Sequence, residues 1–549
     1  MREVLAELWK RQRQELIRSM LAGAAFGICE LFALASLLLL LTRLGLPAKD
    51  MFPFGLGSHL PGWPTALVLF GIVVFIQSAL SHVSAQKAFD IGLRFTQSLR
   101  RDLAAEFGAM PMPRLRRHNS SDISRMLTDD SARAGLAAQC AVGLSIQCLL
   151  CTVYFVAAFL ISPAASVGTA VVVSTFVLIS RNQRLPKLIL QSRAALKRLN
   201  EDAFDFATGL QNARAHGLMD RMGQRLMNTS EQSLEIQRQH QAGSSRSNKY
   251  QQLAIVGLFM VLVAAIQSAS GGGSSPLLPL AVLYLRLAPR IQSLRHQRML
   301  LENSVASVAA IRAQLKGNRE DLHEAQSHFG SNISVRDLRF EYEPGQAALT
   351  IVDVDIEAGA WVAIVGASGA GKSTFLRLLT GVEKPTTGQI LVEGLPLQSG
   401  SIRQWQSQLS YVDQSPVFLH GSISENLFSQ MTDEGRPVDT EVNEILRVCG
   451  LEPLIKSLPV GLETKLDGTS SCLSGGQRQR LAIARAIARK PKLLLLDEAA
   501  NALDEAAENS LMLAVRAFLP GTTILSISHR VSSTQLAQRI IVVKGPERV

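Results

Sequence analysis

Six long apolar runs constrain what this chain can become more than any other feature. Crossing a bilayer takes ~20 mostly apolar residues in a helix. Such runs fall at 20–42, 65–83, 140–161, 163–180, 251–268 and 276–297. The fourth is short, and the sixth gives way to charge after Leu285. Between the second and third runs the polar stretch 84–134 carries nine Lys and Arg, and between the fourth and fifth 181–249 carries twelve. The opposite connections hold only Arg43 and Lys49 in the first, and no charge through 269–285, which includes Gly271-Gly272-Gly273. Arg2, Lys10, Arg11, Arg13 and Arg18 put the N-terminus on the basic side. Basic residues concentrate on the cytoplasmic side of membrane proteins. Six spans with both termini in the cytoplasm satisfy every loop, and the chain is expected to be a multi-pass membrane protein.

Composition supports this for one half only. Of 549 residues, 47% are hydrophobic and 18% charged, against about 25% charged in soluble domains. Six cysteines exclude a disulfide scaffold. The net charge of +11 suggests nucleic acid until it is located. Residues 331–549 hold 21 Lys and Arg against 24 Asp and Glu, whereas 1–330 hold 35 against 21. The basic excess lies with the apolar runs and no nucleic-acid motif accompanies it, so no nucleic-acid partner is expected. Lipid is. Cys148 and Cys151 sit inside the third run with no second pair, which favours small core residues over a zinc site. Residues 4–14 have the pattern of an amphipathic helix for the cytoplasmic interface. The two long polar stretches read as helical extensions of the spans, turning near Asn119–Asp122 and near Phe204–Gly209.

The second half announces a nucleotide. A short apolar strand, Trp361–Val365, runs into Gly366-Ala-Ser-Gly-Ala-Gly371-Lys372-Ser373-Thr374, and a helical pattern follows. This is the phosphate-binding loop, in the strand–loop–helix context that it requires. Gly366, Ser368, Gly369, Gly371 and Thr374 belong to a backbone cradle whose N–H groups face phosphate oxygens. Lys372 supplies a cation to the β- and γ-phosphates, and the Ser373 hydroxyl a ligand for Mg²⁺. A second strand, Lys492–Leu496, ends in Asp497-Glu498. Four consecutive leucines mark a strand buried on both faces of a parallel sheet. Carboxylates at its C-terminal end lie where phosphate ligands gather, so Asp497 is expected on Mg²⁺ and Glu498 beside the attacking water.

Leu473-Ser474-Gly475-Gly476-Gln477 then opens the helical run Arg478–Lys490. Here the chain resembles the ATP-binding cassette (ABC) family, whose signature is LSGGQ. The resemblance implies that Ser474, Gly476 and Gln477 present a helix N-terminus to the γ-phosphate of a second subunit's ATP. It also implies that Tyr342 stacks on adenine, that Gln414 contacts Mg²⁺ and that His529 grips the γ-phosphate. Ala502-Leu503-Asp504 would cross the dimer interface. Six spans before one cassette resemble the exporter half-transporters of bacteria. The implied fold is an α-helical six-span domain (1–300), a linker (301–330) and an α/β P-loop ATPase domain (331–549). Asn119–Asp130 and Asn200–Gly217 resemble the two segments that couple the halves.

The implied activity is ATP hydrolysis driving outward transport of an amphipathic substrate, a peptide being one candidate, by a homodimer in the bacterial inner membrane. A related half-transporter as partner, a flippase for a lipid-linked substrate and an ATP-gated channel are the alternatives. Two departures stand out. Asp467–Cys472 replaces a Glu-containing stretch usual before the signature, and Asn501 stands where Ser is usual. Glu30 and Arg286 fall near mid-membrane and are expected to pair or to meet cargo.

Overall fold

The computed structural model describes residues 2–43, 62–161, 185–239, 277–315, 332–343, 346–397, 402–429, 437–466, 473–528, 530, 534–543 and 545. They form two compact units: Met1–Gly108 with His118–Asn318, and Ala109–Arg117 with Arg319–Val549.

The first unit is helical. Its long helices include Arg2–Arg43 (kinked at the non-helical Gln12), Trp63–Gly108, Ser131–Ile161, Leu185–Ala215 and Leu277–Leu315. Among the described residues, three stretches are long and apolar enough to cross a membrane: Val4–Leu37, Trp63–Gly108 and Ser120–Val156. They contain nearly all of the first three expected spans. The fourth and fifth, 163–180 and 251–268, lie outside the described residues. The sixth lies in the helix Leu277–Leu315, which runs on through the first half of the expected linker.

Packing follows from helical spacing. Ile91, Phe95, Leu99 and Leu103 share one face and are buried in one cluster with Ala134, Ala137, Ala138 and Ala141. Such small residues let two backbones approach closely where lipid offers no hydrophobic drive. The same core takes Val4 and Leu8, both fully buried. The apolar face of the N-terminal segment is therefore spent on protein, which corrects the expectation of an interfacial helix. Trp9 faces outward, beneath the Arg13 guanidinium at 4.9 Å.

Two turns also needed the structure. The helix from Trp63 stops at Gly108, a single helical turn follows at Met112–Leu115, and Ser120–Arg125 starts after Asn119. The connector between them, Ala109–Arg117, groups with the second unit. No turn occurs at Phe204–Gly209, because that helix continues to Ala215. It ends where Gly217 adopts φ +67°, and Leu218 N–H donates to the Ala213 carbonyl at 2.8 Å. This is a glycine C-cap that satisfies the last turn. Glu30 pairs not with Arg286 but with Arg290, one turn further along, whose Nη2 donates to Glu30 Oε1 at 2.7 Å.

The second unit is layered α/β. A parallel sheet runs in the order Arg539–Val542, Trp361–Val365, Thr523–Ile527, Leu493–Asp497, Leu409–Val412. An antiparallel sheet runs Gln346–Ile356, Ile333–Glu343, Thr387–Val392, Leu395–Pro396. The leucine run behaves as a doubly buried strand must. Leu494 and Leu496 enter one core, with the helices Asp439–Val448 and Gly475–Ala488, while Leu493 and Leu495 enter the other, with the helix Lys372–Leu379.

Candidate nucleotide site

Parallel pairing sets the site. Ile364 and Asp497 both lie opposite Ile527 from its two sides, so the P-loop and Asp497-Glu498 leave the sheet at the same edge. Gly371 begins the helix Lys372–Leu379 at φ +92°, and a Cβ there would meet the Ala348 carbonyl oxygen at 2.5 Å. Only glycine fits such a position. Gly366, Ser368 and Gly369 precede it in the loop, and Lys372, Ser373 and Thr374 form the first helical turn. Lys372 Nζ donates to the Gly366 and Ala367 carbonyls, each at 3.0 Å. The loop therefore supplies its own lysine with two carbonyl acceptors.

Two carboxylates close the mouth. Ser373 Oγ donates to Asp497 Oδ1 at 2.8 Å and Tyr411 Oη to Asp497 Oδ2 at 2.9 Å. Burial pushes the Asp497 carboxyl above its ordinary range, helped by Asp413 and Glu498 and opposed by those two hydroxyls. Burial, with the Asp497 charge beside it, raises the Tyr411 phenol as well. Glu498 follows in a left-handed conformation, φ +49°, rare for a residue with a side chain. Such strain persists only where the surroundings over-determine it. Gln414 Nε2 and Asn501 Nδ2 both donate to Glu498 Oε2, at 2.9 and 2.7 Å, and Glu498 N–H donates to the Ile527 carbonyl.

Tyr342 stands apart on the antiparallel sheet, half-exposed, its hydroxyl sharing a 2.8 Å hydrogen bond with Thr374 Oγ1. Phe340 meets its ring edge-on at 4.8 Å. Tyr342, the P-loop, Gln414, Asp497 and Glu498 are thus brought together. Ser474, Gly476 and Gln477 are not. They form a capping box at the start of the helix Gly475–Ala488, with Gln477 Oε1 accepting from Ser474 N–H at 2.8 Å and Ser474 Oγ from Gln477 N–H at 3.2 Å. Among the described residues no hydrogen bond joins them to the P-loop. Gln479 Oε1 accepts from Ala502 N–H at 2.8 Å, tying this helix to the Ala502-Leu503-Asp504 loop. His529 and Asp467–Cys472 lie outside the described residues.

Sequence reading missed two contributors. From sequence, Tyr411 has no assigned role, and Asn501 reads only as a departure from Ser. Asn501 is a donor that pins Glu498, so Asn501→Ala is expected to slow phosphate release with ATP affinity unchanged. About tenfold is the scale of one such bond, ~1.5 kcal/mol. An unaltered rate removes Asn501 from the positioning of Glu498.

Comparison with known proteins agrees with this geometry. Residues 349–501 match the family model described as ABC transporter. That stretch of the chain is an ABC transporter domain. The chain is 39% identical over 214 residues to the ATP-dependent lipid A-core flippase of Ralstonia nicotianae, covering 38% of this chain and 36% of that one. It is 33% identical over 246 residues to a multidrug resistance ABC transporter ATP-binding and permease protein of Lactococcus lactis, covering 44% and 41%. A heterocyst differentiation ATP-binding protein of Nostoc is 28% identical over 411 residues, covering 71% and 65%. The chain thus spans less than two thirds of each of these relatives. A solved bacterial Atm1-family ABC exporter with ATP bound superposes with TM-score 0.79 at 20% identity, over 98% of this chain and 94% of that one. An ABC exporter fold is shared: a helical membrane-spanning region followed by an ABC ATPase domain, which binds ATP.

Proposed function

We propose that this chain is an ATP-hydrolysing half-transporter that works as a dimer and moves an amphipathic substrate from the cytoplasm outward. It would lie in a bacterial inner membrane with the ATPase domain in the cytoplasm. The observation that carries this reading is the assembly at the P-loop mouth: Ser373 on Asp497, and Glu498 held by Gln414 and Asn501.

Ser373 Oγ and the Asp497 carboxylate are hard oxygen donors, the chemistry that Mg²⁺ takes, and Gln414 lies next to them through Glu498. Bound there, Mg²⁺ would neutralise charge on the β- and γ-phosphates. Lys372 exchanges two loop carbonyls for phosphate oxygens. Glu498 accepts a proton from the attacking water, fixed by its two amide donors. Ser474, Gly476 and Gln477 of a second copy offer a helix N-terminus to the same γ-phosphate, and His529 a further grip. Both sites of a homodimer carry Lys372, Ser474 and Glu498, so both can turn over.

Tyr342 stacks on adenine in this reading. Base stacking on an aromatic is worth ~1–3 kcal/mol. Tyr342→Ala is expected to raise KM for ATP about tenfold with little change in kcat. An unchanged KM places the adenine contact elsewhere.

A lipid-linked substrate is the second reading, favoured by the 39% match to a named lipid flippase. Proteoliposomes test both. ATPase stimulation and ATP-dependent uptake with amphipathic peptides support export, whereas stimulation and headgroup exposure with glycolipids alone favour the flippase. Ion flux without matching ATP turnover overturns both in favour of a gated channel.

A further inference from the structure

The connector Ala109–Arg117 belongs to the ATPase unit, although chain on both sides of it is helical bundle. Its Arg116 guanidinium lies over the Tyr342 ring, 4.5 Å from the centroid. The same guanidinium pairs with Glu383, a carboxylate almost wholly buried just beyond the P-loop helix. Among the described residues neither Glu383 oxygen has a hydrogen-bond partner, and Arg116 is its ion-pair partner.

We propose that Arg116 competes with adenine for the face of Tyr342, so that nucleotide binding dislodges a connector residue that Glu383 keeps tethered. This rests on the reading of Tyr342 as the adenine platform. A cation over an aromatic face and a stacked base use the same π surface, so both cannot hold it. Adenine arrives with a triphosphate that the P-loop also binds, and therefore wins. Glu383 prevents the displaced cation from escaping, because an unpaired buried carboxylate is costly. The guanidinium carries five donors in a fork, which lets it leave the ring while keeping Glu383. There is room: Glu383 lines a hollow of about 470 Å³ with Gly381, Lys384, Pro385, Gly388 and Ile402. Since the connector continues directly into Trp63–Gly108 and Ser120–Arg125, occupancy of the adenine face is marked in the chain that joins those helices.

The test uses the full chain in detergent, with EDTA to prevent hydrolysis. Removing Arg116 alone would strand a buried charge, so the variant is Arg116→Met with Glu383→Gln, which keeps volume and net charge. Its folding is checked by melting temperature. ATP affinity is expected to rise three- to tenfold over the parent, the scale of one cation–π contact, while affinity for inorganic triphosphate stays the same. Weaker ATP binding would make Arg116 a wall of the adenine site and overturn the proposal. So would no change, and so would an equal gain for triphosphate, which reports field rather than face. Tyr342→Ala is measured in parallel. If it leaves ATP affinity unaltered, the adenine platform itself is wrong. If it weakens ATP while the double variant does nothing, only the competition fails.

Discussion

Glu498→Gln is expected to cut steady-state phosphate release 10²–10⁴-fold while ATP still binds, the range that loss of a positioned general base costs. The substitution keeps size and leaves Asp497, Ser373 and Lys372 in place. Gln414 and Asn501, which donate to the Glu498 carboxylate at 2.9 and 2.7 Å, can still reach an amide oxygen. Binding and chemistry should therefore separate cleanly. Radiolabelled ATP retained by the variant reports the first, and phosphate release the second. Turnover near the parent rate would remove Glu498 from the chemistry, and joint loss of binding would make it a ligand or structural residue instead.

The second large effect lies in the helical unit. Glu30 is 4% exposed, and its only ion pair among the described residues is with Arg290. Arg290 also lies over the Phe26 ring at 5.1 Å, one turn before Glu30 on the same helix face. Deleting one member of a buried pair leaves the other uncompensated, which costs ~3–5 kcal/mol. Glu30→Ala is thus expected to lower the melting temperature sharply in detergent and to reduce the yield of folded protein. Glu30→Ala combined with Arg290→Met should recover most of the loss, because well-packed apolar replacement of a buried pair is often near neutral. A double variant as unstable as the single one would show that the pair is not the cause.

How much of this was legible in the sequence depends on the range of the determining interaction. The P-loop, the Asp497-Glu498 strand end and the signature were readable because each is a local string whose backbone needs dictate residue type. Gly371 must take φ +92° beneath the Ala348 carbonyl, and the leucine run must face two cores at once. The leucines duly divide between them, Leu494 and Leu496 against Leu493 and Leu495. Ser474 and Gln477 announce a helix start through their own capping box.

What escaped the sequence was pairing at long range. Glu30 and Arg290 are 260 residues apart, and a helical period cannot tell Arg290 from Arg286 until the helix has a rotation against its neighbours. The N-terminal amphipathic stripe reads the same whether lipid or protein covers it. Only the bundle decided that Val4 and Leu8 are buried in its core. Asn501 is the exception at short range: only three residues from Glu498, it reads as a departure until the turn after the strand brings the two side chains together. The sequence by itself determined the membrane-spanning character, the phosphate-binding loop, the carboxylates at the strand end and the signature helix start, since backbone geometry and solvation act residue by residue. Tertiary structure alone decided which charges meet and that Gln414, from the neighbouring strand's end, donates to Glu498, because those depend on helix rotation and strand order, which no local pattern encodes.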